Sequence, residues 1–371
     1  MSGKISTRVC ETDWRGTLLA SAAVLALSTS VAVAQDPPPP DEAAPPPAEE
    51  VGAPPMAVEK VVVTATRRET QLVKTPVAVT AISGKALDAA EVETIEDLVA
   101  LVPSLVITNN GHPFAFTTRI RGVGTQGDNP GLEAAVGTFI DGVYRNRPGV
   151  AMSDLGELER VEVLRGPQGT LFGRNTSAGI INVITKKPTW VNEMWGEVTG
   201  GSYDLMAARG GFNAVLAPDQ LAMRFYGVRQ EREGYIEVNP GRPDAYDGNA
   251  TSFFGGKGQL LWQPTQDVNV RIIADYAERK DQCCAAVTLF EGGDGRVGVP
   301  GTSGPDIINQ LEAPFVGKAS TNQVENLIAF GNRSTDANTK DKGVSGELNW
   351  RFGGVKLTSI TSFREYDNEY G

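Results

Sequence analysis

The sequence predicts a mainly β chain: an α+β unit in the N-terminal half, followed by the first strands of an incomplete antiparallel transmembrane β-barrel. Three observations predict it. Glycine is abundant, 42 of 371 residues, which favours strands and tight turns over helix bundles. Beyond Pro188 apolar and polar residues alternate with period two, as in half-buried strands. Short and long connections alternate between those runs, as they do on the two sides of an outer-membrane barrel.

The first element is an export signal. Lys4, Arg8 and Arg15 precede the apolar run TLLASAAVLALSTSVAVA, which closes in an A-x-A site. Residues 1–34 therefore read as a signal peptide cleaved after Ala34. A membrane helix is the alternative, but the run is rich in Ala and Ser and is followed by acids and prolines. Residues 35–58 form a Pro-rich acidic linker, with nine prolines and five acids before Val58. Such a segment buries almost nothing and stays extended, reaching about 70 Å at ~3.1 Å per residue.

Next comes VEKVVVTATRRET, with Val61, Val62 and Val63 in a β-prone run. It could pair with the sheet edge of another protein or begin the following unit, and the residues alone leave both open. A compact α+β unit runs from Thr75 to Pro188, and with the β-prone run before it makes a domain over 59–188. AVTAIS reads as a strand. SGKALDAAEVETIEDLVALVP holds two short helical patterns, with Ser83 and Thr94 as N-caps, Asp97 three residues after Thr94, and Pro103 as the stop. Strands follow at TTRIRG, GTFIDGVY, ERVEVLRG and GIINVITKK.

Within this unit GVGTQG, Gly122 to Gly127, matches the dinucleotide fingerprint letter for letter. The fingerprint needs a helix opening on the loop, and DNPG follows instead. A flexible glycine loop is the better reading. His112, the single histidine, precedes Pro113 and reads as a solvated turn residue, so a metal or haem site built on imidazole is not expected. No metal and no cofactor are expected. No nucleophile, base or metal cluster points to an enzyme. A formal charge of −11 without a Lys/Arg tract argues against a nucleic-acid partner.

Residues 189–371 carry the barrel pattern. Strands are expected near Glu193 to Gly201, Leu205 to Val215, Leu221 to Gly234, Ser252 to Gln263, Val268 to Arg279, Lys342 to Phe352 and Val355 to Tyr366. In VNVRIIADYAER the apolar set is Val268, Val270, Ile272, Ala274 and Tyr276, against Asn269, Arg271 and Asp275. A soluble sandwich shows the same alternation. The connections decide between them, because APDQ, PTQD and GG are short whereas the stretches after Gly234 and Arg279 are long. Trp262 and Trp350 both precede a short turn, as in an interfacial girdle. Seven strands do not close a barrel of this kind, so the chain is expected to be the N-terminal part of a longer protein.

ERVEVLRGPQGTLFGRNTSAGIINVITKKP, with RIRGVG, FIDGVY and EKVVVTATRR, resembles the plug domain and coupling box of TonB-dependent outer-membrane receptors. The resemblance is dense from Glu59 to Pro188 and weaker beyond. It implies a barrel of about 22 strands surrounding an N-terminal plug. It implies that Val61, Val62, Val63, Thr64 and Ala65 form the TonB box and pair with the TonB energy-coupling protein. It implies that Arg121 and Arg165 anchor the plug on barrel-wall carboxylates, and that Gly122, Gly124, Gly127, Asp128 and Asn129 lie at the ligand-facing apex.

The function so implied is an outer-membrane receptor importing a scarce ligand, first of all a ferric siderophore, with energy from the inner membrane. Outer-membrane lipid and a small iron-siderophore ligand are the other partners. Cobalamin, saccharide or aromatic solutes are alternative cargo, and a passive or structural plugged barrel is the alternative function. Cys283 and Cys284 are adjacent in an outer loop on the oxidising side of the cell. Neighbouring Cα atoms lie ~3.8 Å apart, below the ~4.4 Å usual for a disulfide. A strained vicinal bond is still expected over two free thiols, with partners elsewhere or a soft-metal site as alternatives.

Overall fold

The computed structural model describes residues 5–8, 62–64, 67–68, 70–109, 116–125, 132–147, 154–283, 285, 327–329 and 336–370. The expected linker and His112 lie outside them. Strand β1 (Ile5–Arg8), inside the expected leader, pairs antiparallel with residues 197–200 of the first wall strand. That strand would otherwise present an open row of backbone donors and acceptors, which recruits any extended segment within reach.

Val62 and Val63 are not free. Strand β2 (Val62–Val63) pairs antiparallel with β3 (Thr70–Gln71), so in this structure it belongs to the N-terminal unit. Strand β4 (Val79–Ser83) leads into helix α1 (Gly84–Ala89). Gly84 starts this helix against the backbone of Leu158, where any Cβ would collide. The second helical pattern closes only as a 3-10 turn, Glu96–Ala100. Half of the expected box forms: the Asp97 carboxylate accepts from Thr94 N at 2.8 Å and also from Glu93 N at 3.1 Å, while the Thr94 hydroxyl donates to it at 2.9 Å instead of accepting from the turn. Ser83 makes no side-chain cap.

Two larger sheets build the rest of the unit. Strands β5 (Leu105–Asn109), β6 (Phe116–Ile120) and β7 (Val123–Gly124) form one, in that order. Strands β8 (Val136–Ile140), β9 (Val143–Arg145), β10 (Leu158–Arg165) and β11 (Gly179–Thr185) join β4 in the order β4-β10-β11-β8-β9. FIDGVY is a hairpin rather than one strand. Asp141 (φ 51°) and Gly142 (φ 79°) both take the left-handed conformation, which a two-residue primed turn requires.

Strand alternation gives this second sheet two unlike faces. Val161, Val163, Ile181 and Val183 meet Leu87, Ile95, Leu98, Leu105 and Phe116 in the larger core. Leu164, Ile180 and Phe139 face the other way and meet Val63 and Phe172.

The wall is a run of sequential antiparallel hairpins: β12 (Glu193–Gly201), β13 (Leu205–Ala217), β14 (Leu221–Arg232), β17 (Thr251–Thr265), β18 (Val268–Gln282), β20 (Asp336–Phe352) and β21 (Val355–Tyr370). Each lies where the alternation places it, and most run a few residues further. One face carries the exposed side chains Met194, Phe212, Phe225, Ile272 and Val344, with Trp262 and Trp350 just before the short turns. The opposite face buries Asn213, Arg224, Tyr226, Arg271, Ile273 and Asp341 against the N-terminal unit.

Described parts of the long connections pair with one another. Strands β15 (Ile236–Val238), β16 (Tyr246–Gly248) and β19 (Ile328–Ala329) form a small sheet, with β15 and β19 parallel. Ile236, Val238 and Ala329 give it a core. Cys283 is disulfide-bonded, whereas Cys284 lies outside the described residues.

Candidate functional site

Two arrangements carry the chemistry of this chain. The first is on the smaller-core face of the second sheet. Val63 is 0% exposed and packs with Phe139, Leu164, Phe172 and Ile180. Phe172 is brought there by the one-turn helix α2 (Gly169–Phe172) of the GPQGTLFG stretch. Thr64 then meets Glu162, a carboxylate 0% exposed in the middle of β10. The Thr64 amide donates to Glu162 Oε1 at 2.8 Å, and its hydroxyl lies 3.1 Å from the same oxygen. Arg160 Nε donates to Oε1 at 2.8 Å and Asn182 Nδ2 to Oε2 at 3.2 Å. Four donors converge on one buried acid, which is how a buried carboxylate is tolerated.

Arg67 completes the contact. Its guanidinium lies 4.2 Å from the centroid of Phe172 and 5.5 Å from that of Phe139, within cation–π range. Its Nε donates to the Leu171 carbonyl at 3.3 Å. Burial lowers the pKa of Arg67 from its ordinary value, which leaves a guanidinium charged at any physiological pH.

The second arrangement is the seam between the N-terminal unit and the wall. Glu157 accepts from Trp195 Nε1 at 2.6 Å and from Arg224 Nε at 2.7 Å, and Arg224 also reaches Glu193 at 2.6 Å. Asp154 accepts from the Tyr226 hydroxyl at 2.7 Å and from Gly156 N at 2.7 Å. Burial raises the pKa of Asp154, outweighing those two hydrogen bonds and the Arg209 charge. Asp141 accepts from Thr185 N at 3.1 Å and Oγ1 at 2.8 Å, and faces Arg271 at 3.4 Å and Lys257 at 3.8 Å. Burial works against its charge, yet Lys257, Arg271 and the Thr185 bonds hold its carboxyl below the usual range.

Arg145 closes the seam. It pairs with Asp341 at 3.3 Å and Asp275 at 3.7 Å, and Arg364 bridges the same two aspartates. A cavity of about 60 Å³ beside it is lined by Arg145, Asp154, Tyr226, Lys257, Asp275 and Asp341, together with apolar groups such as Ile140, Leu155, Val228 and Phe253.

The expected site residues are distributed unevenly over this frame. Val62, Val63 and Thr64 lie together in the docked segment, while Val61 and Ala65 are outside the described residues. Arg121 has a left-handed φ of 54° and is exposed, and its amide donates to the Ser104 carbonyl. The Arg165 amide donates to the Ala78 carbonyl, and its buried Nε has no partner among the described residues. Among the described residues neither arginine makes an ion pair with a wall carboxylate. Most of the pairs that do join unit and wall have the opposite sense, acids of the unit on arginines of the wall. Gly122 and Gly124 lie in and after a tight turn, and Gly127, Asp128 and Asn129 are outside the described residues.

Sequence reasoning missed Asp141, Asp154, Glu157 and Glu162. A signal for Glu162 existed: period two places it on the face opposite Val161 and Val163, where a charge needs partners. Arg224 and Arg271 likewise fall on the inward face by alternation.

Residues 71–180 match the family model of the TonB-dependent Receptor Plug Domain. Residues 71–180 thus form a plug domain of the kind found in TonB-dependent receptors, and the strands that follow have the fold of a barrel wall. The pesticin receptor of Yersinia pestis is 33% identical over 185 residues, 48% of this chain and 26% of that protein. The ferric-pyoverdine 358 receptor of Pseudomonas putida is 25% identical over 179 residues, 48% of this chain and 21% of that protein. The solved structure of the ferric yersiniabactin uptake receptor of Yersinia pestis superposes with a TM-score of 0.62 at 20% identity, over 79% of this chain and 41% of that one. The chain spans about a quarter of the length of the curated relatives it matches.

Proposed function

We propose that the chain is the N-terminal part of an outer-membrane receptor that imports a scarce ligand, a ferric siderophore before other cargo, with energy delivered through the TonB protein. The docked segment carries this reading. A β-prone strand stored on the plug face opposite the larger core, behind a Pro-rich tether, is what a pulling partner needs and what a permanent seal does not. The outward apolar face of the wall meets outer-membrane lipid, and the inward ionic seam holds the plug.

The proposed receptor works in three steps. Ligand binds to the outer loops and the plug apex, including the loop that contains Gly122, Gly124, Gly127, Asp128 and Asn129. The segment Val61 to Ala65 leaves the plug and adds to the sheet of TonB, which supplies backbone donors and acceptors for it. Traction then rearranges the plug. Arg121 and Arg165 meet wall carboxylates of the whole receptor, which compensates the buried Nε of Arg165. Residues 1–34 direct export and are removed after Ala34.

The ferric reading is supported by relatives named as receptors for ferric-pyoverdine and ferrioxamine, while another relative is a vitamin B12 transporter. Uptake of labelled ferric chelates and of labelled cobalamin, by cells with and without the full-length gene, tests the choice. Gene-dependent uptake of a ferric chelate is expected. Uptake of cobalamin alone would replace the cargo, and no gene-dependent uptake of any solute would favour a passive barrel.

A further inference from the structure

We propose that Glu162 is the latch that stores the coupling segment, with Arg67 as its second clasp, so that these two residues set how readily the segment leaves the plug. The assignment rests on the reading of Val61 to Ala65 as the coupling segment. Its basis is geometric. Of the four donors on Glu162, two come from Thr64, one of them the backbone amide. That amide is the group a partner's strand would need in order to pair with the segment. While Glu162 holds it, β-addition at Thr64 is blocked.

The latch is also built to open without stranding a charge. When Thr64 leaves, Glu162 keeps Arg160 Nε at 2.8 Å and Asn182 Nδ2 at 3.2 Å, both from the sheet itself. The carboxylate therefore stays compensated in the open state, as reversible release requires. Arg67 acts from the segment's side. Its contacts are with Phe172, Phe139 and the Leu171 carbonyl, all on the plug face that covers Val63. This gives the GPQGTLFG stretch a role as the surface on which the segment is clasped.

The test reads exposure of the segment in the full-length receptor in isolated outer membranes, without ligand or partner. A maleimide is reacted with Val63→Cys, with Arg68→Cys as the exposed reference, Leu98→Cys as a reporter of the larger core, and the unsubstituted protein as background. Val63→Cys should react at least about tenfold more slowly than Arg68→Cys, as expected for a site exposed only by local opening. Adding Glu162→Ala should speed Val63→Cys by about tenfold or more while Leu98→Cys stays protected, because two charge-assisted bonds to the segment are lost.

If Glu162→Ala also exposes Leu98→Cys, the plug itself has opened and Thr64→Val and Arg67→Ala decide instead, since neither residue is in the sheet. Both should speed Val63→Cys with Leu98→Cys still protected. Unchanged labelling in these two variants, or in Glu162→Ala with an intact core, overturns the proposal. So does equal labelling of Val63→Cys and Arg68→Cys at the outset. No solute is transported in this assay, so its failure is separable from failure of the import reading.

Discussion

Arg224 of the wall and Glu157 of the plug hold each other in a buried pair. Arg224 Nε lies 2.7 Å from Glu157 Oε2, and the two side chains are 4% and 5% exposed. Trp195 and Glu193 complete the group. Replacing Arg224 with Ala leaves Glu157 buried with a single neutral donor from the wall, a local loss of about 3–5 kcal/mol. The barrel strands should still assemble, and the plug should loosen. Entry of large antibiotics into cells expressing the full-length variant measures this, with Arg224→Lys intermediate because charge is kept and the fork is lost.

Asp154 and Asp141 predict pH dependences of opposite sign. Burial raises Asp154, so its contribution is fully present below the ordinary aspartate value of about 4 and is lost as pH rises through its raised value. Lys257, Arg271 and Thr185 depress Asp141 against its burial. Its contribution is present above the ordinary value and is lost as pH falls through the depressed one. Thermal unfolding of the full-length receptor from pH 3 to 8 should show Asp154→Asn flattening the upper limb and Asp141→Asn the lower. Identical profiles for both variants would reject the assignment.

Gly179 has a φ of +150°, and a Cβ there would run into the Leu164 carbonyl and Ile120 Cδ1. Gly179→Ala should therefore destabilise the plug sheet by about 1–3 kcal/mol, from strain and overpacking together. Limited proteolysis of the plug is the readout, and unchanged resistance would contradict the tight approach.

Ile272 and Ile273 are adjacent, 46% and 4% exposed, and separate the two faces of the wall. Ile272→Arg places a charge on the lipid face, at a cost of about 2–4 kcal/mol near the bilayer midplane and less toward its edges. It should reduce the heat-modifiable folded band of the full-length protein on gels. Ile273→Ala should leave that band and lower plug stability instead.

Much of this architecture was legible in the sequence, and the limits are physical. β12 occupies the predicted residues, because alternation over nine or more residues fixes both strand and face. β19 has two residues, too few to show a period, and its partner β15 is distant in the chain. β5 follows Pro103 as a short apolar run that period alone cannot assign. The docking of Val63 was not legible either, since its core partners come from β8, β10, α2 and β11. The ionic seam was half legible: Arg224 and Arg271 face inward by alternation, but their plug partners Glu157 and Asp141 sit at a strand approach and in a turn.

If a partner moves this plug by gripping the segment Val61 to Ala65, those five residues are needed for uptake and not for binding. Deleting them from the full-length receptor, with binding and uptake of the same labelled ferric chelate measured side by side, separates the two. Near-normal binding at the cell surface is expected, with no uptake above that of cells lacking the receptor. Uptake at the undeleted rate would show that no partner pulls on this segment.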